Sequence, residues 1–100
     1  MKTEITQTDN TVVVTVAGRL DTVTSSEFEK ALAPYFAAQG VELIVDCSAM
    51  EYISSAGLRA LLIGQKTATS KGGSMELIHV SEMVMSILDT VGFTDILTLR

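Results

Sequence analysis

The sequence has no tryptophan and only one cysteine, one histidine and one proline. With Cys47 alone, an internal disulfide, a C-x-x-C redox pair and a multi-cysteine zinc site are all excluded. With His79 alone, a histidine-rich metal centre is excluded as well. Bases are scarce: seven Lys and Arg against twelve Asp and Glu leave a formal charge of −5. That argues against a basic nucleic-acid-binding surface and against adhesion to an anionic membrane. No run approaches the roughly 18 apolar residues that a membrane-spanning helix needs. Met1 and Lys2 lead into polar Thr3, Glu4, Thr6, Gln7 and Thr8 rather than into a signal-peptide core, so the expected address is the cytoplasm.

What the sequence does have is apolar matter. Hydrophobic residues make up 47% of its 100 residues and charged ones 19%, which suits one core-forming domain over residues 1–100. Residues 2–8 read as a weak polar strand with Ile5 as its main apolar contact, and Asp9-Asn10 as a two-residue hairpin turn. Residues 11–17 are strongly strand-like, with Val12, Val14 and Val16 on the core face, and a break is expected at Gly18-Arg19-Leu20-Asp21. Thr24-Ser-Ser-Glu27 fits a capping box for a helix whose apolar face is Phe28, Ala31, Leu32, Tyr35 and Phe36, with a kink or early end at Pro34. Residues 41–46 read as a central strand. A loop over 47–54 leads into a helix over 55–71, with Leu58, Leu61, Leu62, Gln65 and Ala68 inward and Gly72-Gly73 as its stop. Residues 74–80 read as a strand, and Ser81 caps a third helix with Val84, Ile87, Leu88 and Val91 on one face and Gly92 at its end. Residues 95–99 read as a last strand. The order is β-β-α-β-α-β-α-β, an α/β fold: a mixed sheet opened by a hairpin, with helices packed on it.

Functional loops of such a sheet sit at the carboxyl ends of its parallel strands. The loop after Asp46 leads to Ser54 and Ser55 at a helix N-terminus, where the macrodipole favours a negative charge such as a phosphate. Serine is equally a preferred helix cap. Ala56, Ala60, Ile63 and Thr67 lie about opposite the inward stripe and form a low-charge face, which suits either a partner protein or another element of the same domain. Asp21 reads as a turn or cap residue, Asp46 as a turn cap or a shaper of the serine loop, Cys47 as a small hydrophobe, and His79 as structural, with no acid or base partner. Met83 and Met85 suit an interface. Catalysis is not expected. G-x-S-x-G and the Walker A pattern are absent, and a phospho-aspartate receiver built on Asp46 would want an acidic pair after the first strand and a later Lys.

Gly18-Arg19-Leu20-Asp21, together with Val45-Asp46-Cys47-Ser48-Ala49-Met50-Glu51-Tyr52-Ile53-Ser54-Ser55-Ala56-Gly57-Leu58, resembles the STAS domain family, and within it the stand-alone anti-sigma factor antagonists. The resemblance covers essentially the whole chain and implies a STAS fold. It also implies a binding module, not an enzyme. Such a module binds a serine-kinase anti-sigma factor of the GHKL ATPase type, is released when that kinase phosphorylates it, and is reset by a metal-dependent serine phosphatase. The family pattern D-S-[ST]-G-L, matched on Gly57-Leu58, makes Ser55 the phosphoacceptor, with Ala56 in the next place. Ser54 stands where the family has aspartate and is the alternative phosphosite. The expected partner surface joins Asp21, Asp46, Ser54, Ser55 and Gly57, which stand at the family's motif positions, to the low-charge helix face of Ala56, Ala60, Ile63 and Thr67. No cofactor or metal is implied on this chain, and neither nucleic acid nor membrane as a partner. Related domains serve as scaffolds or as accessory subunits of phospholipid-transport ABC complexes, which is the alternative role.

Overall fold

The computed structural model describes residues 2–92 and 97–99. The chain opens with β1 (Lys2–Thr8) and β2 (Thr11–Leu20), followed by α1 (Thr24–Ala37) and β3 (Glu42–Asp46). It continues through β4 (Met50–Ile53), α2 (Ser55–Ser70), β5 (Ser74–Ile78), α3 (Glu82–Thr90) and β6 (Thr98–Leu99). Together they form one mixed six-stranded sheet with the helices packed against it. Its main path runs β1-β2-β3-β5-β6, and β4 pairs with β2 off that path.

β1 and β2 are antiparallel, with Thr8 opposite Thr11 across the two-residue turn, and Asp9 takes φ 53° there. This is the expected hairpin. β2–β3, β3–β5 and β5–β6 are all parallel. These crossovers step the same way across the sheet, so right-handed connections place the helices on one face. Burial agrees. Val12, Val14, Val16, Leu43, Val45 and Leu77 are fully buried, whereas Val13, Ile44 and Ile78 on the opposite face are only half-buried.

Several sequence expectations are corrected. β2 does not break at Gly18. It runs to Leu20, and the pairing register shifts between Gly18 and Arg19. Gly18 has φ 95°, a conformation only glycine adopts without strain, so it bends the strand instead of ending it. The redirected end, Gly18 to Leu20, pairs in parallel with β4, a strand inside what the sequence presents as a loop. Thr24 is not the N-cap of α1. Val23 stands at that position without a side-chain bond, and Asp21 binds the turn before it, its carbonyl accepting from Ser25 N and its carboxylate from Thr24 N. Pro34 does not end α1, which continues to Ala37. Val91 does not join the buried face of α3, for it is exposed as the C-cap, while Val84 and Leu88 are buried.

Other expectations stand. Ser81 caps α3 by accepting from Val84 N at 3.2 Å. Gly72, at φ 78°, closes α2 in a Schellman motif: Gly72 N donates to Thr69 O and Gly73 N to Ala68 O. β6 falls inside the expected strand 95–99, of which residues 95 and 96 lie outside the described residues.

Candidate functional site

The site is assembled at Leu20. Its carbonyl, at the end of β2, accepts from Ser54 N at 2.9 Å. One hydrogen bond thereby ties the last turn before α2 to the segment that begins α1. Gly57 makes this approach possible: a Cβ there would lie 2.5 Å from Leu20 O and 2.9 Å from Ile53 Cγ1. The buried Leu58 and Leu61 then anchor the first turns of α2 in the core.

Asp21 and Thr24 bond each other reciprocally across the turn that leads into α1. Asp21 Oδ1 accepts from Val23 N at 3.0 Å and from Thr24 N at 3.1 Å, while Thr24 Oγ1 accepts from Asp21 N at 2.8 Å. The Thr24 hydroxyl in turn donates to Arg19 O at 2.7 Å. The hydrogen bond from the Thr24 backbone, aided by the Thr24 hydroxyl, Val23 N and the nearby Arg19 charge, holds the Asp21 carboxyl below its ordinary value. Arg19 lies 4.0 Å from Asp21 Oδ2 and 4.2 Å over the centre of the Tyr52 ring, its partner in the β2–β4 register.

The two serines at the start of α2 are not equivalent. Ser54 is the N-cap: its backbone is extended, and its hydroxyl oxygen accepts from Gly57 N at 3.3 Å. Ser55 is the first helical residue and is exposed. Its hydroxyl makes no hydrogen bond to another side chain or backbone group among the described residues.

Further along α2 the exposed ridge differs from the face expected from the sequence. Ala60 is 1% exposed and belongs to the core, and Gly57 is buried against β2, so neither presents itself outward. Ala56 and Thr67 are half-buried, and the Thr67 hydroxyl donates to Ile63 O at 2.8 Å. The ridge is Ser55, Arg59, Ile63 at 48% exposure, and Lys66. Their i, i+4 and i+3 spacing puts them on one side of the helix. It is not a low-charge face: α2 carries two bases and no acid in a chain of net charge −5. Arg59 is the residue that sequence reasoning missed, although its spacing of four from Ser55 was there to read. Val23, 75% exposed beside Asp21, adds an apolar residue near the start of α1.

Asp46 belongs to a separate cluster. Its Oδ1 accepts from Ser48 N at 3.0 Å and lies 3.1 Å from His79 Nδ1. The bond from Ser48 N, with help from His79, holds the Asp46 carboxyl low. This corrects the expectation that His79 lacks a partner: the parallel register sets Asp46 beside Ile78, so the two strand ends meet. Among the described residues no hydrogen bond or ion pair joins this cluster to Ser54, Ser55 or Asp21. Cys47 is fully buried next to it, with its thiol pushed up to about 12, by burial first and by the Asp46 charge second. On α3, Met83 is exposed and Met85 half-buried.

The family model described as the STAS domain matches residues 2–100. The anti-sigma-B factor antagonist of Bacillus subtilis (strain 168) is 29% identical over 94 residues, covering 94% of this chain and 85% of the relative. Among solved structures, a putative anti-sigma factor antagonist from Thermotoga maritima superposes with a TM-score of 0.86 at 21% identity, over 97% of this chain and 84% of that one. The Bacillus cell-fate determinant SpoIIAA in its phosphorylated form superposes at 0.76 with 16% identity, over 99% of this chain and 91% of that one.

Proposed function

Because the chain belongs to the STAS domain family, we propose that it is an anti-sigma factor antagonist, a binding protein that sequesters a serine-kinase anti-sigma factor and is switched off by phosphorylation of Ser55. The kinase is expected to be of the GHKL type, with a serine phosphatase to reset the switch. Both meet this chain in the cytoplasm, and it performs no catalysis of its own. The Bacillus subtilis relative, named for this antagonism, supports the role. SpoIIAA in phosphorylated form supports the idea that a domain of this fold carries a phosphate.

The observation that carries the choice of serine is the contrast at the start of α2. The Ser54 oxygen is held as the helix cap, whereas the Ser55 hydroxyl is exposed and uncommitted. A kinase needs the hydroxyl oxygen free for attack on the γ-phosphate, and the positive end of α2 accepts the charge that results. The ridge beyond Ser55, basic at Arg59 and Lys66 and apolar at Ile63, suits a partner with an acidic rim around an apolar contact. A phosphate of about −1.5 to −2 charges set at the head of that ridge opposes such a partner by repulsion, without any need to unfold the domain.

The test is phosphosite mapping with a purified GHKL-type anti-sigma factor kinase and ATP. Stoichiometric label is expected on Ser55, abolished by Ser55→Ala and retained by Ser54→Ala. The product should be a phosphoester that survives hydroxylamine. Label persisting at Ser54 in the Ser55→Ala chain would move the switch one residue. Absence of label in a complex that still forms would favour the scaffold or transporter-accessory role.

A further inference from the structure

Resting on the reading of Ser55 as the modified serine, we propose that Arg59 is the intramolecular counter-ion of the phosphate: once Ser55 is phosphorylated, the two pair along the exposed ridge of α2, and Arg59 is withdrawn from the surface offered to the partner. The inference stands on Arg59 and its placement. Residues four apart on a helix are surface neighbours, and an acidic group N-terminal to a base at this spacing is the favourable order. Both residues are exposed, so nothing has to move out of the core for them to meet. A guanidinium presents a planar fork of donors that matches a phosphate in bidentate fashion.

Competing charges are few. Arg59 takes part in none of the ion pairs among the described residues, which join Lys2 to Glu4, Arg19 to Asp21 and His79 to Asp46. No acid of α2 competes for it, because α2 has none. Lys66 lies three turns further along the helix, roughly 16 Å by axial rise, too far to reach Ser55. Among the described residues Arg19 is a rival, because Leu20 O binds Ser54 N, but it is already shared between Asp21 and the Tyr52 ring.

The consequence deepens the switch. An unmodified, neutral serine gives Arg59 no charge to pair with, so the guanidinium is free for an acidic group of the partner. Phosphorylation then acts twice on the same ridge, by adding negative charge and by engaging the positive charge that the partner would use. The ridge changes sign over a single turn of helix while the packing beneath it stays as it is.

The experiment uses the full chain with phosphoserine installed at position 55 during translation, so that no kinase is needed. It is prepared with Arg59, Arg59→Gln, Arg59→Lys and Arg19→Gln, each beside its unphosphorylated counterpart. Thermal melts at low salt are expected to show phosphorylation raising Tm by about 2–4 °C more with Arg59 than with Arg59→Gln, a margin lost in molar salt. Arg59→Lys should keep part of that margin and Arg19→Gln all of it. The Arg59 Nε–Hε resonance should move on phosphorylation, which a merely structural role for Arg59 would not produce. Equal increments in the Arg59 and Arg59→Gln chains, an unmoved resonance, or a margin lost only with Arg19→Gln would each overturn the pairing. None of these readouts involves a kinase or a binding partner. A failed pairing would therefore leave Ser55 standing as the modified serine, whereas a chain that no kinase labels at Ser55 would remove the reading on which the pairing rests.

Discussion

Gly57→Ala is the substitution for which general rules and this structure disagree most sharply. Alanine in a helix interior is favoured over glycine by about 1 kcal/mol, so propensity alone predicts a more stable protein. The structure predicts the opposite. A Cβ at position 57 would sit 2.5 Å from Leu20 O, 2.9 Å from Ile53 Cγ1 and 3.0 Å from Leu20 Cγ. The first of these is a backbone atom that also accepts from Ser54 N, so no rotamer change relieves the contact. Either the first turn of α2 or the end of β2 has to move. Overpacking of this kind costs typically about 1–3 kcal/mol. Against the propensity gain, the net expectation is a loss of up to about 2 kcal/mol, or roughly 4–8 °C in Tm for each kcal/mol in a domain of this size. Urea unfolding followed by circular dichroism reads it, with a lower midpoint and an unchanged slope as the signature. A Gly57→Ala chain more stable than wild type by the propensity gain of about 1 kcal/mol would refute the claim that close approach at Leu20 fixes the start of α2. The same displacement disturbs the bond from Ser54 N to Leu20 O and shifts the first turn of α2, so phosphorylation at Ser55 should slow as stability falls.

Four further substitutions test other features of the molecule. Asp21→Ala removes the carboxylate that accepts from Val23 N and Thr24 N in the turn leading into α1 and should lower stability. Because the Asp21 carboxyl is held low, its contribution is present above roughly pH 4 and is lost as pH falls below that, so wild type and Asp21→Ala should converge in stability in acid. For the Cys47 thiol the sign reverses. Its value rises from 9.0 to about 12 on folding, so the unfolded chain ionises first and stability falls between those pH values. The difference between wild type and Cys47→Ala should drift by up to about 1.4 kcal/mol per pH unit there, and native Cys47 should resist alkylation at pH 8. Ile63→Glu should change stability by no more than about 0.5 kcal/mol while weakening partner binding, whereas Leu61→Ala, in the core, should cost roughly 2–5 kcal/mol.

How much of this was legible in the sequence depended on the range of the interaction. The opening hairpin, the Ser81 cap and the Gly72 stop are local devices, and residues within a few positions of one another specify them. The alternation of Val12, Val14 and Val16 gave the core face of β2 for the same reason. β4 was illegible because Met50–Ile53 becomes a strand only by pairing with the end of β2, some thirty residues earlier in the chain, after Gly18 has redirected it. Asp21 and Thr24 were both recognisable cap residues. Neither supplies the cap of α1, because the Thr24 hydroxyl is drawn back to Arg19 O at the redirected end of β2 and the Asp21 carboxylate binds the turn before the helix. The pairing of Asp46 with His79 across neighbouring strand ends needed the sheet register.

On α2 the heptad-like pattern admitted two neighbouring outward faces. Periodicity with an alanine in it did not say that Ala60 fills the narrow space beneath the helix and that Arg59 stands on top. Ser55 is singled out in the sequence by the family pattern matched on Gly57-Leu58; that Ser54 is the cap and Ser55 the exposed residue after it is seen only in the structure. The sequence therefore yielded the strand-to-helix junction that positions the serines, and the structure supplied which residues surround them.

The central claim is that a phosphate on Ser55 ends the complex with the anti-sigma factor by a change at the surface. The direct measurement is isothermal titration of the purified anti-sigma factor with the unmodified chain and with the authentic Ser55 phosphoprotein, at one fixed ionic strength, with circular dichroism recorded on both. The account predicts superimposable spectra and a Kd at least about tenfold weaker for the phosphoprotein, a loss of about 1.4 kcal/mol or more. Equal affinities would contradict it. A weaker Kd accompanied by loss of helical signal would place the switch in the fold and not in the ridge of α2.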